Sequence, residues 1–513
     1  MKKFKDFLDK QFLKLIIFAG LAIFVGAYIW YFAQGETLLH GDARSRLIIA
    51  RRVFDSLTPG LVQLGGIWPP FPQILFLPTI WSNVFYYSGL SGSLVSIVSA
   101  TLGLILLSKM VLEISKSKIV TIIAASVYVL NPSFLYMTTT PMTETLFISL
   151  MIASTYYLWK WVITEKVIYL PLAGIIIVAA SLTRYEGWFL AIFSALTVAI
   201  VAFSRRKSFS EMEGHFFLFS TIAFAGIAGW FLYNLLIYGN ILEFALGEGS
   251  SAQQTALGDP LLLTKGNLIQ SILRYLSATV LNIGYISLAV TVLGSFLAAL
   301  KMKKYIIPVV LFSTPLIFNT ISLFTGQSDL FTYHFPPYTS VHHVRLALLM
   351  LPLAAIGFAL LADMSKRFVP IVLIILLMQL IILFGQEPIT LREALNTYYG
   401  KGKEQQQVAS WLRNNPINGM ILISGFSNET LIFDAHIPLK QTAYEGSGKY
   451  WQQAKNDPAS IAQRIIVSPD VRDSIWKISQ ENKSFFNGYT MVYQGQYFLV
   501  YDLSQEGLSL KRN

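Results

Sequence analysis

The chain has no cysteine, which excludes disulfides and thiolate metal sites. Charge is also scarce. Asp, Glu, Lys and Arg make up 13% of its 513 residues, about half the usual ~25% of soluble proteins. A single soluble domain of this size would need far more polar surface. Repeats with a period of roughly 20–50 residues and low-complexity tracts are absent too, which excludes solenoids and biased tails. What is present is apolar: 54% hydrophobic residues, 14% aromatic, and a mean hydropathy of +0.55. That content excludes a disordered or collagen-like chain and indicates a polytopic α-helical membrane protein with room for one small soluble domain.

The net charge of +11 is uneven. Residues 386–513 hold 13 basic and 12 acidic residues, whereas 1–385 hold 26 and 16. The excess therefore belongs to the membrane part. No basic stripe lies on a soluble domain, so a nucleic-acid partner is excluded.

Apolar runs recur at 14–33, 90–112, 119–137, 142–159, 167–183, 187–203, 216–238, 275–300, 305–325, 345–362 and 368–385. Each is near the ~20 residues that span a bilayer, giving about eleven spans. The first follows MKKFKDFLDKQFLK and lacks a small-residue cleavage site, so it reads as a retained span. With the N-terminus cytoplasmic, five inner connections are basic. They carry Lys109, Lys116 and Lys118; Lys160 and Lys166; Arg205, Arg206 and Lys207; Lys301, Lys303 and Lys304; and Lys366 and Arg367. The C-terminal region then lies outside. Counting 69–89 as a span would reverse every later loop. That segment carries Pro69, Pro70, Pro72 and Pro78, with Trp68, Trp81, Tyr86 and Tyr87 suited to headgroup depth, so it reads as interfacial.

The expected organisation is a membrane domain over 1–385, with a long first outer loop at 35–89, and a soluble extracytoplasmic domain over 386–513. In the latter, GKGKEQQQVASWLRNN reads as an amphipathic helix and MILIS, RIIVS and YFLVYDL as short buried strands. This tail has neither a Gly-rich phosphate loop nor a nucleophile elbow, so it is assigned support or acceptor contact; His436 and Glu445 are its residues to inspect.

Ionisable residues at the edge of the hydrocarbon mark functional sites. By this topology they gather on the outer side. Asp42 follows His40 and Gly41 in the first loop and precedes Arg44, Arg51 and Arg52. A carboxylate among arginines stays ionised, suiting a base or a cation ligand, while a helix cap is its structural alternative. Glu144 opens a span, Arg184 and Glu186 stand in SLTRYEGW, and His334, His342, His343 and Arg345 stand in YHFPPYTSVHHVRLALLMLP. The outer basic residues are Arg44, Arg46, Arg51, Arg52, Arg184, Lys265, Arg274 and Arg345, mostly arginine, which grips phosphate with two prongs. For Glu144 and Glu186 the alternative is an Arg–Glu lock between helices; for the histidines it is a solvated loop.

The loop GDARSRLIIARRVFDSLTPGLVQLGGIWPPFPQ, with an acid soon after the first span and a Pro-rich end, resembles that of the GT-C membrane glycosyltransferases. Together with TRYEGW and the His-His-Val-Arg run, it is most similar to the protein-mannosyltransferase and aminoarabinose-transferase-like branch. The resemblance implies an integral membrane enzyme of the cell membrane. It would move a sugar from a polyprenyl-phosphate donor lipid to a protein, lipid or glycan acceptor outside the cytoplasmic leaflet. It places the catalytic base on Asp42. Many members have two adjacent acids, and here Ala43 follows Asp42. The second-acid role falls to Glu144, Glu186 or Asp55, and the need for a divalent metal stays open, with no other cofactor implied. Arg184, Arg345, Arg51 and Arg52 are expected at the donor phosphate, and His40, His342 and His343 at the acceptor or phosphate. Without the resemblance, the chemistry still follows. Arginines stabilise the leaving phosphate, an oxocarbenium-like centre develops at C1, and one carboxylate takes the acceptor proton, which implies inversion. A transporter or flippase, or an oligosaccharide ligase or polymerase, is the competing reading.

Overall fold

The computed structural model describes residues 2–205, 208–247, 249–258 and 262–504; Arg206 and Lys207, expected on the inner face, lie outside them. The chain divides into two compact units: Met1–Thr37, Gly92–Leu242 and Leu261–Glu393 form one, and Leu38–Ser91, Glu243–Pro260 and Ala394–Asn513 the other.

The first unit is helical. All eleven apolar runs lie in helices, but not all as long ones. Among the described residues, eight helices are long and apolar enough to cross a membrane: Gln11–Ala33, Leu90–Ser115, Glu144–Thr164, Glu186–Ser204, Phe209–Tyr238, Lys303–Thr325, Val344–Met364 and Phe368–Asn414. The run at 275–300 is instead a bent pair, Leu268–Ile283 and Tyr285–Leu300, meeting at 113°. Gly284 makes the bend with φ 86, a conformation costly for any residue with a Cβ. The runs at 119–137 and 167–183 form shorter helices, Lys118–Val129 and Tyr169–Ser181. The first of these stops because Asn131 caps a new helix, Pro132–Met137, accepting from the Phe134 N–H at 2.9 Å. Elsewhere small residues let helices close up. A Cβ on Gly294 would stand 2.9 Å from the Gly357 Cα, so Tyr285–Leu300 and Leu351–Met364 touch backbone to backbone. Large apolar side chains such as Phe18, Ile200, Phe203, Leu236, Ile374 and Ile381 point outward, as lipid contact requires. The protein is an integral membrane protein.

The second unit joins the first-loop segment to the tail. A mixed five-stranded sheet runs β2-β1-β3-β5-β4, with β1 Met420–Ile423, β2 Thr442–Ala443, β3 Ala462–Val467, β4 Tyr489–Gln494 and β5 Leu499–Leu503. β1 is parallel to β2 and β3, while β5 is antiparallel to β3 and β4. The expected strands are β1, β3 and β5, and the expected helix is Lys403–Asn414. β2, of two residues, and the largely exposed β4 carry no buried run that would mark them. The core packs Leu422, Trp451, Ile465, Val467, Ile475 and Phe485, with Leu57 of the first loop against it. Composition places the first loop with the spans, whereas contacts place it with the tail, because loop arginines find their carboxylates there. Residues 69–89 fold as Phe71–Ile80 and Asn83–Tyr87, each far shorter than the ~20 residues of a span.

Candidate active site

In the helical unit, Glu144 and Glu186 each open a long helix, Glu144–Thr164 and Glu186–Ser204. A carboxylate in the first turn faces unpaired backbone N–H groups and the positive end of the helix dipole. Arg184 lies between them. Its NH1 donates to the Glu144 Oε1 and the Thr143 hydroxyl, both at 2.9 Å. Its Nε and NH2 grip both Glu186 oxygens at 3.2 and 2.8 Å. Arg345 completes the network. Its Nε lies 3.4 Å from the same Glu144 Oε1, its backbone N–H donates to the Glu393 Oε2 at 3.1 Å, and its NH1 pairs with the Glu393 Oε1. Glu144 is 0% exposed, Glu186 3%, Arg345 7% and Glu393 2%. Four of the expected residues thus meet, with three carboxylates around two guanidinium groups.

Two further groups lie in the same unit. Asp329 Oδ1 lies 2.9 Å from His343 Nδ1, Asp329 Oδ2 lies 3.7 Å from His342 Nε2, and the two imidazole centroids are 3.8 Å apart. Burial alone would raise the Asp329 carboxyl, but the hydrogen bond and charge of His343, with His342 behind, hold it well below the usual range. Burial would lower His343, but the same bond together with the Asp329 charge outweighs it and raises the imidazole. Arg274, buried on Leu268–Ile283, packs its guanidinium 5.0 Å from the Tyr338 ring and 5.6 Å from Phe335. Among the described residues it has no carboxylate partner, and its buried Nε has no hydrogen bond.

The loop-and-tail unit holds the rest. Asp42 stands half-buried in the first turn of Gly41–Arg52; the cap itself is His40, buried and without a side-chain capping bond. The helix is buried along most of its length because its arginines are spent on partners. Arg44 donates to Asp434 at 2.6 Å, and Gln405 and Gln406 donate to the same oxygen at 2.5 and 2.9 Å. Arg46 stacks on Trp68, 4.3 Å from its ring centroid. Arg51 donates to the Ile80 carbonyl at 2.8 Å, to the Trp81 carbonyl, and to the Asn83 Oδ1 at 2.9 Å. It therefore ties off the C-terminal end of Phe71–Ile80. Arg52 pairs with Glu429 at 3.0 Å and lies 3.6 Å from the centroid of Tyr444. Burial pushes the Glu429 carboxyl up, against Arg52 and Ser45, and the Asp42 charge pushes it the same way. Asp42 and Glu429 are thus like-charged neighbours.

The family model described as dolichyl-phosphate-mannose-protein mannosyltransferase matches residues 69–233. ArnT from Cupriavidus metallidurans, solved bound to undecaprenyl phosphate, matches with a TM-score of 0.60 at 10% identity, covering 97% of this chain and 98% of that one. The chain has the GT-C glycosyltransferase fold and resembles the protein mannosyltransferases. The apo form of ArnT from the same organism matches with a TM-score of 0.57 at 12% identity, over 97% and 99% of the two chains. Oligosaccharyltransferase AglB from Archaeoglobus fulgidus reaches a TM-score of 0.49 at 12% identity, over 97% of this chain and 75% of that one, and adds no weight. No curated protein matches the sequence.

On this GT-C frame, sequence reasoning missed three residues. Glu393 is the carboxylate that meets Arg345, Glu429 is the acid in the field of Asp42, and Asp329 is the partner of the paired histidines. The signal for Glu429 was available: a loop rich in arginine needs counter-charges, and GFSNETLIFD supplies Glu429 and Asp434 on one short helix. Of the tail residues singled out, His436 is exposed and stacks on Tyr87 at 4.1 Å. Glu445 accepts from the Ser424 hydroxyl at 2.7 Å, the Gly425 N–H at 2.6 Å and the Ser474 hydroxyl, which makes it a fastener of the fold. Asp55 lies 3.7 Å from Arg51 and accepts from the Lys440 N–H at 3.3 Å.

Proposed function

We propose that the protein is an inverting glycosyltransferase that moves a sugar from a polyprenyl-phosphate-linked donor to an acceptor on the extracytoplasmic side. The observation that carries this reading is the match of residues 69–233 to the dolichyl-phosphate-mannose-protein mannosyltransferases. The fold shared with an ArnT solved with undecaprenyl phosphate supports it.

Asp42 is the base. It is half-buried in a helix-opening turn, and Glu429 beside it supplies a second negative charge where no adjacent acid follows in sequence. The acceptor hydroxyl oxygen attacks C1 from the face opposite the phosphate. The C1–O bond breaks, its electron pair leaves with the lipid phosphate, and the hydroxyl proton passes to the Asp42 carboxylate. A single displacement inverts C1. General-base help of this kind contributes typically ~10²–10⁴-fold. For the leaving phosphate, Arg274 is a buried cation with no carboxylate partner among the described residues, so we assign it the first contact. Arg184 and Arg345 frame the region through Glu144, while Arg51 and Arg52 hold the first loop in shape.

The test is a donor screen with purified protein in lipid nanodiscs. Hexosyl and pentosyl polyprenyl phosphates are supplied with peptide, lipid and glycan acceptors, and release of polyprenyl phosphate is followed. Turnover with an inverted anomeric centre supports the reading. Movement of intact donor between leaflets, with no cleavage of any donor, would establish a flippase instead.

A further inference from the structure

Two consecutive residues of an extended chain point to opposite sides. His342 and His343 do not. His342 is extended, its N–H and C=O both paired with Phe331 at 3.1 Å in an antiparallel bridge. His343 then turns into the left-handed region at φ 54. For a non-glycine residue this turn is strained, and it brings both imidazoles to one side, 3.8 Å apart. Asp329, across the bridge, aims its two oxygens at the two rings. One ligand atom from each of the three residues lies within 4.8 Å of the other two.

We infer that Asp329, His342 and His343 form a binding site for a divalent transition-metal ion, Zn²⁺ foremost. The donor set is two imidazole nitrogens and a carboxylate, borderline in softness and suited to Zn²⁺. Tetrahedral zinc with bonds of ~2.0–2.1 Å sets its ligands ~3.3 Å apart. The Asp–His separations of 2.9 and 3.7 Å bracket that spacing, so small rotations of the rings seat the ion. The His342 side chain is 42% exposed, which leaves an entry path and a coordination position open to water. Arg345, two residues on, opposes a cation here, and Glu393 favours one; the two are paired and largely offset each other. The ion would clip the ends of the 329–343 loop together just ahead of Arg345. This inference does not depend on the donor reading.

The test uses full-length protein in detergent, stripped with a chelator and dialysed. Zn²⁺ is titrated by calorimetry, and Co²⁺ by its visible absorption as a report on coordination geometry. One ion per chain is expected, with the spectrum of a tetrahedral nitrogen–oxygen site. His342→Ala keeps the Asp329–His343 pair and hence the fold, yet removes a ligand. It should weaken binding by more than the roughly 10–100-fold typical of outer-shell changes. His343→Ala should do the same, and Zn²⁺ should slow proteolysis of the loop in wild type only. Stripped wild type that takes up no Zn²⁺, or takes it equally in both variants, overturns the site and leaves an imidazolium–carboxylate pair.

Discussion

Arg184→Ala tests the centre of the helical unit. The guanidinium makes four hydrogen bonds, two to Glu186, one to Glu144 and one to Thr143. After truncation Glu144 keeps Arg345 at 3.4 Å. Glu186, 3% exposed, loses the only hydrogen-bond partner its carboxylate has among the described residues. Breaking a buried ion pair from one side costs ~3–5 kcal/mol, because the stranded charge stays buried. Glu186→Gln in the Ala background removes that charge, so the double variant should recover ~0.5–3 kcal/mol as coupling. Arg184→Lys offers a point charge for a two-pronged grip and should fall between. Unfolding in mixed micelles titrated with SDS, followed by tryptophan fluorescence, measures wild type, these variants and Glu186→Gln alone, which closes the cycle. A loss under ~1 kcal/mol in Arg184→Ala, the cost at an exposed pair, with no coupling to Glu186, would show that the network is solvated and the helix lock does not exist.

Other outcomes follow from the same geometry. Asp42→Asn removes a first-turn charge worth ~0.3–1 kcal/mol of helix stability, so expression and donor binding should hold while transfer falls at least ~10²-fold; wild-type turnover would return Asp42 to a structural role. Arg274→Ala should raise the KM for the polyprenyl-phosphate donor without loss of folded protein, and Arg274→Lys should restore part of it; an unchanged donor KM would remove Arg274 from the site. For topology, Ser340→Cys should react with an impermeant thiol reagent in intact cells and Lys301→Cys should not, both positions being exposed and the chain free of native cysteine; the opposite pattern would invert the orientation.

Much of the fold was legible because a bilayer imposes a coarse rule. All eleven apolar runs fold as helix, and among the described residues eight helices, or nine with the bent pair, are long and apolar enough to span. Length was less legible, since Gly284 and Asn131 break helices through backbone geometry that hydropathy does not register. The Pro-rich segment, expected as one interfacial helix, folds as two helices too short to span, with Pro78 inside Phe71–Ile80. The sequence singles out Glu144, Arg184, Glu186 and Arg345, and these four side chains meet. It could not show that each arginine already has a carboxylate, because Glu393 lies 48 residues from Arg345. Pairings at such separations leave no periodic trace.

The distribution of charge decides which arginine can receive an anionic lipid. Arg184 and Arg345 are shared among Glu144, Glu186 and Glu393, so a phosphate would have to compete with carboxylates for them. In the other unit, Arg44 and Arg52 are matched by Asp434 and Glu429. These arginines are needed where they are, since a buried carboxylate without a cation is costly. Arg274 is held differently. Two aromatic rings steady its guanidinium through their π faces, which leaves the in-plane N–H donors unspent. Phosphate binds those donors edge-on, so an anion can add to Arg274 without displacing anything. Pairing with carboxylates is therefore the feature that argues against Arg184 and Arg345 as the first phosphate contact.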